Sequence, residues 1–215
     1  KTGLIEVTVS NPKLWWPAGQ GEQNLYDLKV TFAGQKIEKK IGLRKVEVIN
    51  EKTTGKNGKE ELSMTFAVNG RRIFAKGADW IPCDAFENRQ RGWYRQHLED
   101  AKLSHMNIVR VWGGGVYEPD AFFDWCDENG MLVWQDFMFG CAMFPFDPEF
   151  QRKVRAEAIA TVLRYRNHAS LALWSGNNEN DGAFCWHVGR NLSRDPNKDR
   201  NSRVTIPNVL YDLDL

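Results

Sequence analysis

The sequence predicts an α/β fold led by the end of a β-sandwich. Three patterns predict it. Apolar and polar residues alternate with period two over residues 1–49, the antiparallel signal of a half-buried sheet. From about residue 72, short apolar runs take turns with amphipathic helical stretches, the signature of parallel βαβ units. Proline, glycine and Asn-Gly fall at the boundaries between these segments.

In chain order, alternation runs over Leu4 to Val9, over Tyr26, Leu28, Val30 and Phe32, and over Lys36 to Ile49 with Ile37, Ile41, Leu43, Val46 and Val48. Between the first two runs, Asn11 to Gly19 holds two prolines and a glycine, so a loop is expected. About three strands are too few to close a sandwich core. This piece either continues upstream or leans on its neighbour. Glu51 to Glu61 is polar and glycine-bearing and reads as a hairpin turn or linker. Asn69-Gly70 between Met64–Val68 and Arg72–Lys76 is a strong hairpin signal.

Four apolar runs then read as parallel strands: Ile73–Ala75, Ile108–Trp112, Leu132–Trp134 and Leu171–Trp174. Helices are predicted between them over Arg91–Met106, Pro119–Asn129 and Pro148–Asn167. Pro119 sits at a first turn, and Gly130 follows the last turn of the same helix. Val154, Ala158, Ile159, Val162 and Leu163 share one face of the third helix. The irregular strand spacing is like that of barrel enzymes with inserted loops. Residues 191–203 read as a solvated loop, and residues 209–215 as the opening of a further helix. The division expected is a β-sandwich end over residues 1–49 and a truncated barrel over residues 50–215.

Composition excludes some classes. Charged residues make up 27% and hydrophobic residues 42%, as in globular proteins. The formal net charge of +1 argues against nucleic acid or an acidic membrane surface as the main partner. No apolar run approaches the roughly 20 residues of a membrane span. Cys83, Cys126, Cys141 and Cys185 form no C-x-x-C unit, and the four His residues are too scattered to complete a zinc set, so buried free thiols are expected. Nine Trp residues are many for this length and imply heavy cores or apolar platforms for flat ligands such as sugar rings. No phosphate-cradling or nucleophile-elbow motif is present. No metal or organic cofactor is expected.

The unusual residues cluster after the apolar runs: Lys76-Gly77-Ala78-Asp79-Trp80-Ile81-Pro82, Arg110-Val111-Trp112-Gly113-Gly114-Gly115, Gln135-Asp136-Phe137-Met138-Phe139 and Trp174-Ser175-Gly176-Asn177-Asn178-Glu179-Asn180. In a barrel, that end of the strands is the active-site face. Glu179 is the candidate general acid, a carboxylate beside Trp174 and carboxamides; otherwise it caps the next helix. Asn178 can hold a substrate hydroxyl as donor and acceptor. Trp112 with its three glycines is either a ligand wall or a core residue in a tight turn. Arg110 pairs with Asp136 or Glu179, or tunes a catalytic carboxylate. Asp79 and Trp80 form one side of a pocket or a strand-end turn. Trp186 is a rim platform or a packed helix residue.

Taken together, these segments resemble the β-mannosidases of glycoside hydrolase family 2. The resemblance rests on Leu14-Trp15-Trp16-Pro17, Gly42-Leu43-Arg44, Asn69-Gly70 through Pro82, Asn107 through Glu118, Cys126-Asp127-Glu128, Trp134 through Phe139, and Trp174 through Asn180. It implies an immunoglobulin-like sandwich ahead of a (β/α)8 barrel, and retaining cleavage of a terminal β-mannosyl residue. It makes Glu179 the acid/base, places Asn178 on the sugar 2-hydroxyl and Trp112 along the −1 subsite, and makes Arg110 a support for the nucleophile. The implied nucleophile is a second Glu after strand seven, and no residue here fits it: Glu149 and Glu157 fall on the third helix, and Asp136 is a neighbour only. The chain is therefore expected to be a piece of a longer enzyme whose remainder is its partner, with a β-mannoside or manno-oligosaccharide as substrate. The alternatives are another family 2 β-glycosidase and a carbohydrate-binding fragment without catalysis.

Overall fold

The computed structural model describes residues 5–180, apart from residues 91, 143 and 146. Among the described residues no strand precedes Tyr26: the alternation expected from Leu4 to Val9 forms none over residues 5–9, and Leu4 lies outside them. β1 (Tyr26–Phe32) and β2 (Gln35–Ile41) form an antiparallel hairpin. Its turn residues Ala33 and Gly34 both have positive φ, 49° and 79°, which fits the right-handed twist of the flanking strands. Leu28, Val30, Phe32 and Ile37 stay exposed.

The expected continuous run over Lys36–Ile49 is corrected. It breaks after Ile41, and β3 (Val46–Ile49) belongs to another sheet, ordered β3-β6-β7. The reason is pairing. β3 lies antiparallel to β6 (Thr65–Val68), and Arg44 leaves the strand path to reach the backbone carbonyls of Ala169 (3.0 Å) and Leu171 (2.6 Å). The polar stretch after residue 50 is a hairpin of β4 (Lys52–Thr54) and β5 (Glu60–Leu62). β6 turns through Asn69-Gly70 into β7 (Arg71–Ile73), as the Asn-Gly dipeptide predicts.

A second correction concerns the first parallel strand. It is β8 (Gly77–Trp80), not Ile73–Ala75. Ile73 faces Phe66 in the hairpin and is buried with Trp15, Val68 and Leu132, so its apolar character serves a core beneath the parallel sheet. Asn107 ties the crossover, accepting from the Lys76 backbone N–H (2.8 Å) and donating to the Phe74 carbonyl (3.0 Å).

Then come α1 (Glu87–Gln90), α2 (Tyr94–Leu103), β9 (Ile108–Val111), α3 (Asp120–Asn129), β10 (Leu132–Asp136), α4 (Pro148–Tyr165) and β11 (Leu171–Ser175). The strands form one parallel sheet ordered β11-β10-β9-β8. Consecutive strands are neighbours, as right-handed βαβ winding in one direction gives. Pro119 stands at the N-cap of α3 rather than inside its first turn. α3 ends at Gly130 (φ 72°), whose carbonyl accepts from the Ala18 N–H; a Cβ at Gly130 would lie 2.5 Å from that nitrogen. At the start of α4, Asp147 Oδ1 caps the Glu149 and Phe150 N–H groups, and Pro148 occupies the first turn. No helix among the described residues is long and apolar enough to cross a membrane.

Three cores result. Trp80, Val109, Val111, Phe122, Phe123 and Tyr165 fill the layer between sheet and helices. Phe137, Phe139, Ala158 and Val162 pack α4 against the far end of β10. Trp15, Phe66, Val68, Ile73, Ile108, Leu132 and Ala169 form the third, which joins residues 15–73 to the N-terminal ends of the parallel strands. Trp15 anchors this joint. It is fully buried and its indole N–H donates to the Asp127 carbonyl (2.7 Å). Gly42 lets it close: a Cβ there would meet Ala169 Cβ at 2.5 Å and Trp15 Cβ at 2.9 Å. Asp127, also buried, accepts from the Ser170 N–H and bonds His168 Nδ1, each at 2.7 Å.

Replacing Trp15 by Ala should cost about 3–5 kcal/mol in chemical denaturation of the full protein, since it empties a large core position and orphans a buried carbonyl. Glu118 offers a pH test. It is buried, and burial raises its pKa above the ordinary 4.5 despite the hydrogen bond from Trp80 Nε1 to its Oε1 (2.9 Å). The folded protein therefore holds this proton where the unfolded chain has lost it, and stability falls as pH rises through that window. Glu118→Gln keeps an acceptor for Trp80 and removes the charge. Its stability relative to the parent should be near equal below pH 4.5 and increasingly favourable toward neutrality, read from melting temperatures across that range.

Candidate active site

The parallel register sets the site. Asp79 on β8 pairs with Arg110 on β9, and Arg110 with Trp134 on β10. Side chains two apart share a face of the sheet, so Trp134 and Asp136 project together toward Arg110. Asp136, the last residue of β10, is fully buried. Its Oδ1 accepts from Arg110 Nε (3.2 Å) and Trp134 Nε1 (3.1 Å). Its Oδ2 accepts from Arg110 Nη2 (2.7 Å) and the Gly113 backbone N–H (3.1 Å). Both oxygens are thus satisfied, as a buried carboxylate requires.

Arg110 distributes its remaining donors. Nη1 reaches Asp79 Oδ1 (3.3 Å) and Nη2 reaches Asn178 Oδ1 (2.8 Å). Its guanidinium carbon also lies 5.5 Å from the centroid of the Trp134 ring. Burial works against its charge, but Asp136 and then Asp79 outweigh burial and hold its pKa above the ordinary value. One arginine thereby links β8, β9, β10 and the segment after β11.

That last segment folds back onto the loop after β10. Gly140 and Asn178 form a parallel bridge, in which the Cys141 N–H donates to the Asn178 carbonyl and the Asn178 N–H to the Phe139 carbonyl, both at 2.8 Å. Asn178 is buried, and Glu179 beside it is exposed with φ 55°. Cys141 Sγ lies 3.6 Å from Glu179 Oε2 and accepts from Asn178 Nδ2 at 3.1 Å.

Of the residues singled out from sequence, Asp79, Arg110 and Asn178 meet in one network, and Glu179 stands next to it. Trp112 is half-buried over its own turn: a Cβ on Gly114 would sit 2.0 Å from the Trp112 ring. Gly113 is tight for a different reason, because a Cβ there would meet the carbonyls of Phe137 and Phe139 at 2.7 Å each. Here the glycines make room for the chain itself. Trp80 is not brought to this network. Strand alternation turns its ring into the helix layer, 5.1 Å from Phe122, with its N–H on Glu118. Trp174 stacks on Phe137 at 5.2 Å. Trp186 and Cys185 lie outside the described residues.

Sequence reasoning offered Asp136 as one of two partners for Arg110, not as the centre of a network, and missed Cys141. An isolated Asp after an apolar run does not reveal that it closes four hydrogen bonds, and nothing local in sequence marks a bridge between residues 38 apart. Cys83, Cys126 and Cys141 are free thiols. One His/carboxylate cluster of metal-ligand type occurs among the described residues, Asp124, Asp127 and His168. Both oxygens of Asp127 there are already taken by His168 and Ser170.

Residues 1–44 match the profile of Glycosyl hydrolases family 2. The β-mannosidase of Rattus norvegicus is 46% identical over 185 residues, 83% of this chain and 20% of that protein. β-Mannosidase B of Thermothelomyces thermophilus is 40% identical over 209 residues, 92% of this chain and 23% of that protein. The crystal structure of a β-D-mannosidase from Dictyoglomus thermophilum superposes with a TM-score of 0.80 at 42% identity, covering 97% of this chain and 26% of that one. An exo-chitosanase of Amycolatopsis orientalis superposes less well, with a TM-score of 0.61 at 25% identity over 77% of this chain. The chain spans about a fifth of the length of the curated relatives it matches.

Arg110→Ala should destabilise the protein by about 3–5 kcal/mol, because it strands the buried Asp136 carboxylate without its cation. Arg110→Lys keeps the charge and loses the two-pronged geometry, so its urea midpoint should fall between those of parent and alanine variant.

Proposed function

From the premise that this chain belongs to glycoside hydrolase family 2, over the stretch it shares with β-mannosidases, we propose that it supplies the acid/base half of a retaining exo-β-mannosidase. The observation that carries the reading is the Asp79–Arg110–Asp136–Asn178 network at the C-terminal ends of parallel strands, with Glu179 following Asn178. That end of parallel strands is where barrel enzymes keep their chemistry. The four strands correspond to the first half of a (β/α)8 barrel, and residues 1–49 to the end of the immunoglobulin-like sandwich before it. β8 and β11, each paired on one side among the described residues, are the edges that further strands would cover.

In this reading Glu179 protonates the departing glycosidic oxygen and then, as carboxylate, takes a proton from the water that releases the sugar. Asn178 meets the 2-hydroxyl of the mannosyl unit. Its Oδ1 is engaged by Arg110 and its Nδ2 by Cys141, so its carboxamide is oriented before substrate arrives. Trp112 lines the −1 subsite as an apolar wall for the sugar face. Arg110 holds the second carboxylate electrostatically. Retention requires that second carboxylate about 5–5.5 Å from the first. Asp136 is unsuited to the part: every lone pair is occupied, and a nucleophile needs a free one. Glu149 and Glu157 sit on α4, engaged with Lys153 and Tyr117. The reading puts the nucleophile in sequence that follows this stretch in the full enzyme, as relatives several times longer than this chain allow.

The test uses the full-length enzyme. Glu179→Gln should reduce kcat/KM on mannobiose by about 10²–10⁴-fold while sparing an aryl mannoside whose leaving group needs no proton. With that substrate kcat should still fall, because release of the sugar needs the base, and added azide should restore it and yield a β-mannosyl azide. Equal loss on both substrates would remove Glu179 from the acid/base role. A panel of aryl β-mannoside, β-galactoside, β-glucuronide and β-glucosaminide decides the sugar.

A further inference from the structure

Cys141 belongs to no role assigned above, yet its sulfur lies between the two residues of the proposed acid/base segment. We propose that Cys141 is a positioning residue for Glu179: the Gly140–Cys141 turn and its thiol set the direction of the acid/base carboxylate, while Arg110 holds the Asn178 carboxamide. The proposal rests on the reading of Glu179 as the acid/base.

Three observations converge on it. The backbone bridge between Gly140 and Asn178 fixes the two segments in register through hydrogen bonds of 2.8 Å on either side. Both Cys141 (φ 49°) and Glu179 (φ 55°) lie in the left-handed region, which residues other than glycine enter only against steric strain. Two such residues facing each other at a strand end are held there by their surroundings. The thiol itself is used on both sides, with S–H toward Glu179 Oε2 and a sulfur lone pair toward Asn178 Nδ2. Among the described residues, no other side chain lies within hydrogen-bonding reach of the Glu179 carboxylate.

A thiol suits this position chemically. An acid/base must exchange its proton twice per turnover, so a strong fixed donor would hold the ionised form too firmly. A thiol donates weakly, so it can orient the carboxylate without strongly favouring its charge. Among the described residues, the charged groups tied to Asn178 at this corner are Arg110 on β9 and, through it, Asp136 at the end of β10 and Asp79 on β8.

In the full-length enzyme, Cys141→Ala should lower kcat/KM on mannobiose by about 10- to 100-fold. kcat/KM on 2,4-dinitrophenyl β-mannoside, whose leaving group departs without a proton, should change by less than about threefold. Cys141→Ser should recover much of the rate, which separates orientation from loss of packing. Unchanged rates in Cys141→Ala, or equal loss on the two substrates, would overturn the proposal. Glu179→Gln measured alongside separates the two readings. If it shows no leaving-group dependence, the acid/base assignment has failed. If it shows that dependence and the Cys141 variants do not, only the positioning role has failed.

Discussion

Asp136 is a carboxylate with no exposed surface at the end of a parallel strand, and its neighbours are arranged around that fact. Taking such a charge out of water costs several kcal/mol unless a cation and enough donors replace the solvent. Arg110 supplies two donors, Trp134 one, and the Gly113 backbone one. The backbone donor explains the glycines. Residue 113 must approach β10 so closely that a Cβ would collide with the Phe137 and Phe139 carbonyls, and Gly140 comes within Cβ range of Gly114. Arg110, held by this carboxylate, then presents its free edge to Asp79 and Asn178 in one fixed direction. A lysine could neutralise Asp136 but could not face three partners at set angles.

The two ends of the sheet use polar groups in opposite ways. At the N-terminal end each is spent on the fold. Arg44 donates to carbonyls in the stretch leading into β11, and burial lowers its pKa although Asp127 opposes the shift. Trp15 binds the Asp127 carbonyl, and the Asp127 side chain fixes Ser170 and His168. At the C-terminal end, Asp79 and Glu179 are left exposed beside the half-buried Arg110 and Cys141 that orient them. Rigid groups at one end and accessible ones at the other are what a site needs, since a carboxylate can act on a ligand only if its partners leave it a free lone pair.

How much of this was legible from sequence varies with range. The βαβ rhythm, the Asn69-Gly70 turn, the Gly130 stop and the strands at Ile108, Leu132 and Leu171 were readable, because periodicity and turn chemistry are local. The first parallel strand was misplaced onto Ile73–Ala75. Apolar residues there serve the core beneath the sheet, whereas Gly77-Ala78-Asp79-Trp80 lacks the β-branched composition of a strand and is one because it pairs with β9. The break in the Lys36–Ile49 run was hidden likewise, since the alternation does not say which sheet a strand joins. In the site, Arg110 and Asn178 were found by residue type at strand ends. The direction of Trp80 and the contact of Cys141 depended on alternation phase and on a long-range bridge.

The backbone strain follows the same division. Asn11, Ala33, Asn69 and His105 take positive φ in turns or after a helix, where the chain must reverse and the cost is local. Cys141 and Glu179 do so at the mouth of a parallel sheet, and they touch. A left-handed Glu179 points its carboxylate away from the path an extended strand would give it and toward the loop after β10. The surrounding hydrogen bonds over-determine that conformation: the Gly140–Asn178 bridge fixes the backbone, and Arg110, itself locked by Asp136, fixes the Asn178 side chain. The buried ion pair thus does more than neutralise a charge. Through Asn178 it holds the residue before Glu179, and so couples the buried carboxylate at the end of β10 to the exposed one after β11.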